Sequence, residues 1–319
     1  MGKDIHKRIY KAIKEHDIIV IARHIGPDPD AIASQVALRD SIRATFPDKK
    51  VYAVGVSVAR FKFLGTLDRI DDSLLINPLL IAVDLPDTSR LDGVTLERYE
   101  KVIKIDHHPY EEELTSLDYI EETVSSTCEL IYLLIKNTRL KMNESIAKCL
   151  YVGIVSDSDR FLLGTTSSDT LLIASELLRE YKFNLKTVYN NLYERPLNEV
   201  RFQAFITLNM TLTENNFAYI RISNDIIKEY GFDGSSASNM VNNFNFIKEI
   251  IAWAFIVYDD KSEMYKINIR SRGPIINEVA SGFNGGGHKF AAGARIKNEA
   301  DVDIMLQKLD EVCKNHQEK

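Results

Sequence analysis

Between residues 17 and 106 the chain repeats one pattern, a short run rich in Ile, Val and Leu. Three of the four runs end at ionisable residues. Asp17 to Arg23 (DIIVIAR) leads into His24, Pro78 to Asp84 (PLLIAVD) stops at an aspartate, and Lys101 to Asp106 (KVIKID) opens Asp106-His107-His108, while Lys50 to Val56 (KVYAVGV) is the fourth run. Between and after them, residues 31–44, 126–137, 143–156 and 168–181 carry apolar side chains at three-and-four spacing, the periodicity of helices. Strands alternating with helical patterns predict βαβ units, and therefore an α/β domain with a parallel sheet and helices on both faces. Asn143 is placed to cap the third of these helices, and Ser167 or Ser168 the fourth.

The pattern changes near residues 185–200, where NLKTVYNNLYERPLNE is rich in Asn and broken by Pro196. The reading is a first domain over 1–186, a linker helix over 187–204, and a smaller α+β domain over 205–319. In that second domain Phe217 to Ser223, Ala252 to Tyr258 and Tyr265 to Arg270 read as strands, and 236–249, 275–283 and 300–314 as helices. Two domains suit a chain of 319 residues with 45% hydrophobic and 27% charged content.

A formal charge of −6 excludes a general electrostatic grip on long nucleic acid. Cys128, Cys149 and Cys313 form no C-x-x-C pair and number three, which fits a reducing compartment and neither a zinc site nor a disulfide framework. The opening MGKDIHKRIYKAIKEHD is charged and lacks an apolar core, and no apolar stretch reaches membrane-spanning length. A cytoplasmic, unanchored protein is expected.

The chemistry gathers where the strands end. His24 runs into GPDPDA, which brings His24, Asp28 and Asp30 within seven residues at the carboxyl end of a parallel strand, the edge where open α/β sheets bind ligands. Taken alone, that segment reads as a Pro27-Asp28-Pro29 turn with Asp30 capping the next helix. Asp84 ends the third strand. Asp106, His107 and His108 end the fourth, where neutral imidazole suits a metal and Asp106 can orient a ring from behind. GIVSDSDRF supplies Asp157 and Asp159 at the start of a loop. What singles these segments out is convergence on one rim, since the interior of each is apolar.

Carboxylate and imidazole donors suit Mn²⁺, or Mg²⁺, more than a thiolate-preferring metal. Four carboxylates, Asp28, Asp30, Asp84 and Asp157, would balance two divalent ions, with Asp84 placed to bridge. Two ions about 3.5–4 Å apart activate a hydroxide and clamp the oxygens of an in-line displacement.

These residues resemble the DHH phosphoesterases, named for the tripeptide that here is Asp106-His107-His108. The resemblance runs over nearly the whole chain. His24, Asp28 and Asp30 match H-x-x-x-D-x-D, Asp84 the second motif, and Gly153 to Ser158 the motif G-I-x-x-D-[TS]. By that match His24, Asp28 and Asp84 hold one metal, and Asp30, Asp84, His107 and Asp157 the other. His108 then faces the substrate phosphate as a polarising or proton-donating group. The second half is similar to the DHH-associated substrate-binding domain, whose glycine-rich turn is here Gly285, Gly286, Gly287 and His288. Arg270 and Ser271 match its phosphate-facing pair, with Asn268 where Ser is more usual. Around them Lys266, Arg270, Arg272, Lys289, Arg295 and Lys297 stand against the single acid Glu278, a local cationic pocket in an acidic chain.

Within the family, SDSDRFLLGTT and RSRGPIINEVASGFNGGGHKFAAGA are most similar to the compact NrnA-type enzymes. The resemblance implies a Mn²⁺-dependent phosphodiesterase that hydrolyses short oligoribonucleotides of two to five nucleotides to mononucleotides, and pAp to AMP, by two-metal hydroxide attack. It also implies no long nucleic acid or membrane as partner, and is compatible with a homodimer. Rival readings keep the chemistry on pApA or cyclic di-AMP, reduce the protein to a non-catalytic nucleotide-binding sensor, or make it a purely structural α/β protein.

Overall fold

The computed structural model describes residues 2–71, 73, 75–110, 113–115, 117–232, 240–245, 247–260 and 262–317. The chain divides into two compact units, Met1–Glu194 and Arg195–Lys319.

In the first unit, α1 (Gly2–Glu15) precedes β1 (Ile18–Ala22), α2 (Pro29–Thr45) and β2 (Lys50–Ala53). Then come β3 (Leu79–Val83), β4 (Lys101–Asp106), the two-residue β5 (Tyr119–Ile120), and four helices: α3 (Thr127–Lys136), α4 (Glu144–Asp157), α5 (Ser168–Tyr181) and α6 (Leu185–Tyr193). The five strands lie in the order β2-β1-β3-β4-β5, and every neighbouring pair is parallel. From β1 the chain steps first to one side, to β2, and then returns to the other, to β3. That reversal opens a crevice beyond the carboxyl ends of β1 and β3, the binding place of doubly wound sheets.

The α/β class is as expected, with one correction to how the sheet is covered. Ile19, Ile21, Leu79, Ile81, Ile103 and Ile105 pack with α1 to α6 in one core, whereas Val20, Ala22 and Leu80 face a second, smaller core. That second face is closed by loop residues such as Ile70, Leu75, Leu91 and Val94, with Leu96 from a 3-10 turn, rather than by α-helices. The connections 54–78 and 84–100 cross back without an apolar stripe long enough for a helix.

Local signals account for the helix starts. Asn143 accepts the amide of Ile146, and Ser167 rather than Ser168 caps α5 in a reciprocal box with Thr170. Helix α2 is buried nearly all round, from Asp30 to Arg39 and again at Ser41 and Ile42, as a helix surrounded by protein must be. Inside it, the Gln35 amide donates to the carbonyls of Ile21 and Val54, at 2.6 and 2.8 Å, and so pins α2 to β1 and to the end of β2.

Where one linker helix over 187–204 is expected, the chain forms α6 and then α7 (Leu197–Asn209). The break falls at Pro196, which stands at the N-cap of α7 and has no N–H to continue the earlier helix.

The second unit is built on β6 (Thr211–Leu212), β7 (Phe217–Ile222), β8 (Ala252–Asp259), β9 (Met264–Ser271), β10 (Gly286–His288) and β11 (Ala291–Ile296), in the order β10-β11-β9-β8-β7-β6. β7 and β8 run parallel and the other neighbours antiparallel. One face packs on α9 (Asn277–Ser281) and α10 (Glu299–Gln317), the other on α7 and α8 (Asn224–Glu229). Of the helix expected over 236–249, residues 236–239 and 246 lie outside the described residues, and Met240–Phe244 is a 3-10 turn. No helix among the described residues is long and apolar enough to cross a membrane.

Candidate metal centre

The rim that the sequence points to is assembled by five segments. Beyond β1, His24 is buried and bridges to Leu91, and its Nε2 lies 3.4 Å from Asp84 and 3.9 Å from Asp28. Asp28, not Asp30, caps α2: its Oδ1 accepts the Ala31 amide at 2.9 Å with Pro29 behind it. Asp30 is thereby freed for another role. It is wholly buried, and its two oxygens accept the amides of Thr127 and Cys128 at 2.8 and 3.0 Å. These are the first two residues of α3, so Asp30 sits where a helix N-terminus favours an anion.

Asp84 is the hub. It follows β3 with φ of 52°, the left-handed region that Asp tolerates better than most residues. In this conformation its carboxylate receives the Thr127 hydroxyl at 3.0 Å and lies 3.4 Å from His24, 3.6 Å from His107 and 3.7 Å from His108. His107 Nε2 also stands 3.1 Å from Asp157. Asp157 is the last residue of α4 and not the first of a loop. Asp159 turns away into an exposed pair with Arg160.

Among the described residues, three overlapping groups have ligand atoms close enough to hold an ion: His24 with Asp28 and Asp84, Asp30 with His107 and Asp157, and Asp84 with His107 and His108. The electrostatics match that geometry. Burial, helped by the charges of Asp84 and Asp28, raises the Asp30 carboxyl well above the usual range. Burial and the charge of Asp30 push Asp157 up to about 8. Asp84 moves the other way: burial opposes its ionisation, but the His24 contact and the three imidazoles hold it below its ordinary value. A cluster in which two carboxylates are forced toward the neutral acid lacks positive charge, and nitrogen and oxygen donors of this kind suit a hard or borderline divalent ion.

His108 is held differently. Asp106 Oδ1 receives its Nδ1 at 2.8 Å and its backbone amide at 3.3 Å. Burial works against a charged ring here, yet the Asp106 bond and the charges of Asp84, Asp106 and Asp157 push His108 up to about 9.

Thr127 and Cys128, which position Asp84 and Asp30, are not among the site residues expected from sequence. Their signal was present in Ser126-Thr127-Cys128-Glu129, an S-x-x-E helix start, where Ser126 caps α3. Glu129 departs from the usual box and accepts Ser125 and Thr170.

In the second unit the glycine-rich segment is an edge strand rather than a turn. β10 pairs Gly286 with Gly293, Gly287 with Ala292 and His288 with Ala291. A Cβ on Gly285 would lie 2.2 Å from the Gly293 carbonyl, and Gly287 has φ of 134°, so the fold itself demands these two glycines. Gly286 has open space around it. Arg270 stands on β9, on the far side of β11 from β10, paired with Ala291 of β11. The Ser271 hydroxyl donates to the Pro274 carbonyl and accepts the Gly273 amide. The cationic pocket is smaller than expected: Lys266 pairs with Asp259, and Arg272 is spent on the carbonyls of Ile247 and Ile250.

Comparison with known proteins fits this division. Residues 18–154 match the DHH family, N-terminal domain, and residues 214–315 match the DHHA1 domain. A Bacillus subtilis protein named bifunctional oligoribonuclease and PAP phosphatase NrnA is 37% identical over 97% of this chain and 99% of its own length. Its namesake from Thermus thermophilus is 27% identical over 93% of this chain and 89% of its own. Among solved structures, an exopolyphosphatase-related protein from Bacteroides fragilis superposes with a TM-score of 0.80 at 24% identity, over 98% of each chain, a likeness of fold.

Proposed function

The chain belongs to the DHH family, in the branch that joins a DHH domain to a DHHA1 domain, and from that footing we propose a Mn²⁺-dependent hydrolase that cleaves short oligoribonucleotides to mononucleotides and pAp to AMP. The observation that carries the reading is the pair of ligand sets meeting on Asp84: His24, Asp28 and Asp84 for one ion, and Asp30, His107 and Asp157 with Asp84 for the other. The substrate class comes from the relatives' names.

Two divalent ions bound there would supply Lewis acidity and an activated water to a phosphoester. The chain's own residues do the rest. Thr127 fixes Asp84, and the first turn of α3 fixes Asp30. Asp106 holds His108 through Nδ1, which leaves Nε2 to face a phosphoryl oxygen or to deliver a proton to the leaving oxygen. Arg270, His288 and the open backbone at Gly286 serve a terminal phosphate and its nucleotide, while Ser271 shapes the turn after β9.

The test is a substrate panel with one purified preparation and Mn²⁺: pAp, RNAs of two to five nucleotides, pApA and cyclic di-AMP, with products resolved. AMP from pAp and mononucleotides from short RNA support the proposal. Preference for pApA or cyclic di-AMP would move the substrate, and nucleotide retention without hydrolysis would make the protein a sensor.

A further inference from the structure

Lys104 lies in the middle of β4 and is 1% exposed. A buried ammonium is costly unless its charge and its protons are answered. Two groups answer it here. Nζ donates to the carbonyl of Pro86 at 3.1 Å and stands 3.6 Å from Oδ2 of Asp106. That oxygen is itself buried and has no hydrogen-bond partner among the described residues, and the lysine is a countercharge within ion-pair reach of it. The other oxygen, Oδ1, takes both the ring Nδ1 and the backbone amide of His108. Asp106 therefore divides its work, one oxygen for the imidazole and one toward the lysine. Pro86, at the lysine's other contact, is two residues beyond Asp84.

We propose that Lys104 is a positioning residue for the hydrolysis: it fixes Asp106, and through it the His108 ring, while holding the chain that follows Asp84. One buried side chain then sets the spacing between His108 and Asp84, 3.7 Å in this structure. An apolar side chain in β4 would suit the surrounding core better, since Val102 on the same face packs among apolar residues. A charge retained there points to a task other than packing.

The inference rests on the hydrolytic reading for its kinetic arm, and a second arm needs no substrate. Lys104→Met should lower kcat about tenfold or more, the usual loss when a group behind a catalytic or ligating side chain is removed, with KM changed less than about twofold. Asp106→Asn removes the charge that Lys104 answers, so adding Lys104→Met to Asp106→Asn should lower kcat little further. In thermal unfolding, the double variant should be more stable than Lys104→Met alone, because the unpaired buried carboxylate is gone. Where Lys104→Met does not fold, Lys104→Gln, which can still donate to Pro86, takes its place, and recovery of folding in the double variant is the readout. Equal kcat losses in both backgrounds, or a double variant no more stable than the single, would overturn the proposal. An inactive wild type with the stability coupling intact would instead overturn the hydrolytic reading and leave the Lys104 contact standing.

Discussion

Gly153 on α4 leaves the room that Asp30 occupies: a Cβ at residue 153 would lie 2.6 Å from Asp30 Oδ1 and 2.2 Å from the sulfur of Cys128. The glycine of the G-I-x-x-D motif thus serves the carboxylate on α2 and the start of α3 as much as the aspartate on its own helix. Gly153→Ala should destabilise the protein by about 1–3 kcal/mol, the range for overpacking a close-packed core, and should weaken divalent-ion binding as Asp30 is displaced. Thermal unfolding with and without Mn²⁺ reads both effects. An alanine variant with unchanged stability and metal affinity would show that α3 and α4 have slack.

Asp84 combines a left-handed backbone with its central place in the site. Asp84→Asn and Asp84→Ala should both lose hydrolysis, but they should differ in stability. Asn tolerates positive φ and keeps an acceptor for Thr127, whereas Ala has neither advantage, so the alanine variant should unfold at lower temperature by the equivalent of about 1 kcal/mol. His107→Ala should lose hydrolysis while remaining folded. Activity surviving in any of the three variants would remove the two-ion assignment.

Asp157 makes the stability of the metal-free protein depend on pH. Its folded pKa is pushed up to about 8, against about 3.9 in an unfolded chain, so the folded state holds the proton more tightly. That contribution is complete below about pH 4 and is lost as pH rises toward 8. Chelated protein should lose part of its stability across this window, Asp157→Asn should flatten the slope, and saturating Mn²⁺ should reverse the loss. A slope identical in wild type and variant would contradict the assignment.

His6 acts in the opposite sense. It is buried on α1 against the ring of Tyr119, 5.0 Å between centroids, and neither ring nitrogen has a hydrogen-bond partner among the described residues. Burial lowers its pKa, so the unfolded chain binds the proton more readily, and stability falls as pH drops below about 6.5. His6→Phe keeps the edge-to-face contact and should reduce that acid-side loss, measured as the difference in midpoint denaturant concentration between pH 7 and pH 5.

Arg270→Ala should chiefly raise KM for pAp and short RNA, as expected of a contact made equally in the ground and transition states. Arg270→Lys should restore binding only in part, because an ammonium lacks the two-pronged fit of a guanidinium to phosphate. A fall in kcat with KM unchanged would assign Arg270 to the reacting phosphoryl group instead.

The sheet and its rim were legible for a simple reason. β1 and β3 are almost wholly apolar, so the first ionisable residue after each stands out, and a parallel topology carries those residues to one edge. Helix α1 was harder to see because its many charges dominate the composition, although Ile5, Ile9, Ala12 and Ile13 recur at helical spacing and the last three are buried. The edge strand at Gly286 was not legible at all: glycine is depleted in strands, and the close approach of Gly285 to the Gly293 carbonyl and the positive φ of Gly287 explain two of the three glycines. Asp28 and Asp30 were read together as ligands, but which of them capped the helix could be settled only by where α3 begins, since Asp30 is claimed by the amides of Thr127 and Cys128. Lys104 carries no signal in the sequence, because its partners, Pro86 and the far oxygen of Asp106, come from different strands' ends.

Helix α2, buried nearly all round and pinned through Gln35 to β1 and to the end of β2, has a consequence for how this protein can change. The amides of residues 32–42 should be among the last in the chain to exchange with deuterium, opening only with global unfolding. Asp28 and Asp30 are mounted at the start of this helix, so displacing either carboxylate means moving an element buried nearly all round. In the second unit the exposed positions of β10 and β11, His288 and Arg295 among them, stand outside the core that holds Ala292, Ala294 and Ile296 and are freer to be exchanged.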